Sequence, residues 1–125
     1  MHTVKNVILL SGDRHEFAAI KFNAEGAGHS LIEVSTSPMS MFWVPLIRTL
    51  RDRSKETVKQ LVEVQKEVDG AFVSELVEEE VPQEEVLKYV PEGNFKWSTF
   101  EVDTRDMQHP VVRLELMADG RPAYE

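Results

Sequence analysis

The chain has 125 residues, 14 Lys plus Arg against 22 Asp plus Glu, a net charge of -8 and no cysteine. That balance argues against a nucleic-acid or anionic-membrane surface, which needs clustered cations, and the lack of cysteine excludes disulfides, thiolate zinc sites and cysteine nucleophiles. No apolar run approaches the ~20 residues that span a bilayer, and Met1-His2-Thr3-Val4-Lys5 has no secretory signal character, so a cytoplasmic location is the default expectation.

Val4 to Leu10 ends in four apolar residues cut off by Ser11-Gly12 and reads as a strand buried on both faces. Phe17–Phe22 and Leu31–Thr36 read as two further strands, joined by the glycine-rich Asn23–Gly28, which suits a hairpin needing positive φ. Met39 to Leu50, with Pro45 inside it, reads as a loop and short helix plugging one end of the core.

Ser54 is placed to cap a helix from Lys55 to about Val68, with Val58, Leu61, Val62 and Val68 as its apolar stripe. Between Lys66 and Lys88 no base occurs but eight acids do, so one segment carries the whole charge imbalance. Such a run reads as a solvated, extended or mobile insertion. Glu78-Glu79-Glu80 lacks the turn-fixed spacing that calcium requires.

Pro91-Glu92-Gly93-Asn94 marks a turn, Phe95–Val102 and Val111–Met117 read as strands, and Asp119-Gly120 predicts a hairpin that doubles Arg121 onward back. The fold class expected is α+β, with about six mostly antiparallel strands and one or two helices.

Chemistry concentrates in Ser11-Gly12-Asp13-Arg14-His15-Glu16, directly after the first strand. Ligands gather at the carboxyl ends of strands; Gly12 lets the chain turn, and an Asp oxygen with an imidazole nitrogen suits Zn, Mn or Fe. A turn Asp with a nearby His also occurs for purely local hydrogen bonding. Asp103, Asp106 and His109 form a second Asp-x-x-Asp-x-x-His spacing, read as turn chemistry rather than a metal site.

The longer string Val7 to Ala19, followed by Ile32-Glu33-Val34-Ser35-Thr36-Ser37-Pro38-Met39, resembles the C-terminal part of PhoD-like metallophosphatases, the alkaline phosphatase D family. Val86 to Asn94 and Leu114 to Gly120 also look like that family's tail, whereas Arg51 to Gln83 looks like filler. The resemblance implies the C-terminal half, over residues 1–125, of a β-sandwich flanked by helices, with a charged helix and acidic insertion at about 51–85. It implies Asp13 and His15 as metal ligands in a centre of two divalent or trivalent ions (Zn, Mn, Fe or Ca) acting on a phosphate ester. Arg14 has no implied role beyond a surface pair with Glu16 or a contact to phosphate, and Ser35, Thr36 and Ser37 would lie at the site rim.

Only twelve residues precede Asp13, so the remaining ligands would come from a missing N-terminal half, and this chain alone would be inactive. The alternative expectation is a non-catalytic interaction protein, or a truncated remnant, whose contact surface is the acidic Glu75–Glu85 segment.

Overall fold

In the computed structural model the described residues are 7–12, 15–26, 30–37, 39–40 and 50–125. They form nine strands: β1 (Ile8–Ser11), β2 (Phe17–Asn23), β3 (Ser30–Ser35), β4 (Thr57–Val68), β5 (Ala71–Pro82), β6 (Glu84–Val90), β7 (Lys96–Asp103), β8 (Val111–Ala118) and β9 (Arg121–Tyr124). Three sheets result, with strand orders β1-β3-β2-β6, β4-β5 and β7-β8-β9. Every pairing is antiparallel except β1 with β3.

The described residues contain no helix, which overturns the α+β expectation of a helix-flanked sandwich: they are all-β. The correction is sharpest at Lys55–Val68, where the predicted helix is β4. Val58, Leu61, Val62 and Val68 fit a helical stripe, but Val58, Val62, Val64 and Val68 fit alternation equally well. β-branched residues favour the strand, and β5 opposes them with Val81, Val77 and Ala71 in register, Val64 facing Glu75. Ser54 caps no helix; its hydroxyl donates to Glu56 O (2.8 Å) and accepts from Glu84 N (2.9 Å), bracing the chain entering β4 against β6. The acidic run forms most of β5, exposed along almost its whole length. The plug expected over Met39–Leu50 falls on 41–49, outside the described residues.

β1 is likewise not buried on both faces. It lies at the sheet edge, and Ile8, Leu9 and Leu10 are 39, 46 and 62% exposed. A continuous apolar run reports a tendency to be covered, and does not itself supply the covering layer.

The turns are set by residues that tolerate positive φ. Asp119 (48°) and Gly120 (76°) close the β8–β9 hairpin, as that dipeptide predicts, and Asp69 (52°) with Gly70 (76°) closes β4–β5 the same way. The core sits between the first and third sheets. Phe17, Ala19, Val34, Val90 and Leu116 are buried, with Phe100, Leu114, Ala123 and Tyr124 packed against them. Phe17 and Tyr124 meet with ring centroids 6.0 Å apart and planes tilted by 50°, a separation favourable to aromatic pairs. Among the described residues no helix is long and apolar enough to cross a membrane.

Candidate functional site

The site built from the sequence lies where β1 and β3, the parallel pair, end side by side. Ser11 pairs in register with Ser35. One residue further, the Thr36 backbone N–H donates to Ser11 O (2.9 Å) and its hydroxyl reaches the same oxygen at 3.4 Å. The loop leaving β1 and the hydroxyl row Ser35–Ser37 leaving β3 therefore share one edge. Parallel pairing puts both carboxyl ends on the same side of the sheet, which an antiparallel arrangement would not.

Of the two predicted ligands, Asp13 lies outside the described residues, as do Arg14, His2 and His29. His15 is exposed and adopts φ 64°. The left-handed turn is thus at His15, not at Gly12: a Cβ on Gly12 would meet only Thr36 O at 3.5 Å and its Oγ1 at 3.7 Å, ordinary contact distances. A left-handed backbone is uncommon for a residue with a side chain and persists when its surroundings hold it.

Glu16 supplies part of that hold. It is buried at 7% exposure, and its carboxylate accepts a hydrogen bond from the Tyr89 hydroxyl on β6. Ser35 and Ser37 are buried at the rim, and the Ser37 hydroxyl has no hydrogen-bond partner among the described residues. An orphaned buried hydroxyl costs free energy unless something satisfies it. At the strand end the Ser11 hydroxyl donates to Glu33 Oε1 (2.6 Å).

A second knot lies at the same end of β6, just past Tyr89. Lys96 is 2% exposed, and its Nζ donates to three carbonyl oxygens, Pro91 (3.1 Å), Glu92 (3.0 Å) and Gly93 (2.6 Å). Burial pushes its pKa down, while Asp119, Glu92 and Glu16 act in the opposite sense. The Asp119 carboxylate accepts from the Asn94 and Phe95 backbone N–H groups at 3.0 Å each. The predicted turn at Pro91–Asn94 is therefore held from both sides, with Gly93 at φ 95°.

The Asp103–His109 stretch forms no cluster. Asp103 turns onto Arg105, accepting from its backbone N–H (3.1 Å) and Nε (2.9 Å), and Arg113 lies at 3.7 Å. The Arg105 hydrogen bonds hold its carboxyl down to about 2. Asp106 instead meets His109 Nδ1 at 3.1 Å, and that bond lowers its pKa. No three His, Asp or Glu side chains converge on one point among the described residues.

Glu16, Tyr89 and Lys96 are the residues that sequence reasoning missed. Glu16 follows the loop motif directly, but a buried carboxylate is visible only once β6 brings Tyr89 alongside. No family model, curated protein or solved structure matches the chain.

Proposed function

We propose that this chain contributes one side of a metal-dependent phosphoester hydrolase site, with Asp13 and His15 as its metal donors. The observation that carries the reading is the parallel β1–β3 pair, whose adjoining carboxyl ends bring the His15 loop beside the Ser35–Ser37 hydroxyls.

The donor set fits a contributor and not a whole centre. An imidazole and a neighbouring carboxylate suit Zn, Mn or Fe, and the further donors come from a separate polypeptide segment. β1 lies at a sheet edge among the described residues, and its exposed apolar side chains offer a surface for such a segment to cover. Bound metals lower the pKa of a water nucleophile and clamp phosphoryl oxygens. The chain's own residues have simpler tasks. The buried Glu16–Tyr89 bond fixes the exit of the loop, and the left-handed turn at His15 sets the imidazole's direction. Thr36 ties the loop's entry to β3, and Ser37 offers a hydroxyl with no hydrogen-bond partner among the described residues.

The test is hydrolysis of an aryl phosphate by the chain joined to, or mixed with, a segment carrying the remaining donors. Asp13→Ala and His15→Ala should each cost more than the roughly 10–100-fold lost when an outer-shell partner of a metal is removed. Full activity in either variant would remove the assignment.

A further inference from the structure

The chain carries a net charge of -8, yet Arg51, Arg53 and Lys55 all border one hollow of about 340 Å³. Ile20, Leu50 and Val86 give that hollow its apolar lining. Ile20 follows the core residue Ala19 on β2, so it points to the opposite face of the first sheet, away from the core. None of the lining residues belongs to the His15 loop or to the Ser35–Ser37 row.

The segment that carries the cations is pinned in place. Residues 52–54 run antiparallel along the outer edge of β6, where Arg53 bridges to Glu85. Ser54 N donates to Glu84 O and Val86 N to Asp52 O, both at 2.9 Å. The chain bends at Asp52 and again at Lys55, and the cations on either side of Arg53 border the same space. Like charges gathered in this way repel one another, and an anion between them relieves that repulsion.

Pairing sets two of these cations apart. Lys59, Lys66, Arg105 and Arg113 each form an ion pair with a carboxylate, and Arg53 lies 3.6 Å from Glu85. Arg51 and Lys55 make no ion pair among the described residues. Glu56 and Glu84 also line the hollow, which leaves it one net positive charge in a strongly negative chain.

We infer that this hollow binds a small phosphate monoester whose body is apolar. A guanidinium fork matches phosphate oxygens and a lysine adds a point charge. A phosphate monoester carries about −1.5 to −2 at neutral pH, which Arg51 and Lys55 balance while Arg53 stays with Glu85. The apolar body covers Ile20, Leu50 and Val86. The inference does not depend on the hydrolase reading, which concerns the carboxyl ends of β1 and β3.

The test titrates the full chain with phenyl phosphate, with EDTA present so that no metal takes part, against inorganic phosphate and benzyl alcohol. Phenyl phosphate should bind at least roughly tenfold tighter than either, and more weakly as salt rises from about 0.05 to about 0.3 M. The amide resonances that move should be those of Ile20, residues 50–56 and Val86. Arg51→Gln combined with Lys55→Gln should weaken binding at least roughly tenfold. Lys66→Gln combined with Arg121→Gln, the same change of net charge elsewhere, should leave it within roughly twofold. Glu56→Gln should tighten it roughly twofold. All five substituted side chains are exposed, and the resonance map of the unsubstituted chain stands as a readout that needs no variant. No saturable binding, equal binding of phenyl phosphate and inorganic phosphate, or equal loss in the two charge variants would overturn the inference. So would shifts gathered at Gly12, His15, Glu16 and Thr36, since the phosphate would then sit at the loop after β1.

Discussion

Tyr89 reaches Glu16 across 73 residues of sequence, and Glu16 directly follows the left-handed His15. Tyr89→Phe removes one hydrogen bond to a buried carboxylate, at a cost of about 1–3 kcal/mol. Urea unfolding should register that loss, and amide exchange at His15 and Glu16 should quicken more than at Val34. Asp103 gives the pH prediction. Its folded pKa is depressed to about 2 from 3.8 by the Arg105 hydrogen bonds. The contribution of this exposed loop contact is therefore complete above 3.8 and lost as pH falls towards 2. The side-chain carboxyl carbon of Asp103 should titrate with a midpoint near 2 in NMR, and Arg105→Met should return it towards the ordinary carboxylate range.

Among the elements, β2, β3, β7 and β8 were legible because each combines β-branched or aromatic content with a clear turn signal at one end. β4 was not, since Val58, Val62 and Val68 fit a helical stripe with Leu61 and a strand alternation with Val64, and only the opposing strand separates the two. The sequence did hold a signal for it: Asp69-Gly70 is the same dipeptide as Asp119-Gly120, and both close hairpins with positive φ at each residue. The acidic composition around it masked a strand pair whose valines all lie on one face, with charges on both. These two turns differ in what they support. Gly120→Ala meets no atom within 4 Å, so its cost is backbone strain of roughly 1–2 kcal/mol, felt in global stability because β8 carries Leu116 in the core. Gly70→Ala carries the same strain at the tip of the hairpin, where it should loosen the β4–β5 amides in hydrogen exchange and leave the global unfolding midpoint in place.

At the scale of the whole molecule, a small core joins the first and third sheets, the second projects from its root, and a groove of about 380 Å³ lies between strands of the two packed sheets. The loop motif after β1 was legible as a candidate site because its residue types carry metal chemistry. The supporting shell was not, since Glu16, Tyr89 and Lys96 converge only through the pairing of β2 with β6 and the turn that follows β6. The central claim is that a cation is drawn to the carboxyl ends of β1 and β3, although most of the chain's excess negative charge lies elsewhere. Titrating the chain with Mn²⁺ and following paramagnetic broadening of its amide resonances tests that directly. Broadening should begin at Gly12, His15, Glu16, Thr36 and Ser37 and vanish there in His15→Ala. Broadening that begins along Glu75–Glu80 and leaves the His15 loop sharp would contradict the account, because simple attraction to carboxylates would then explain all the metal binding the chain has.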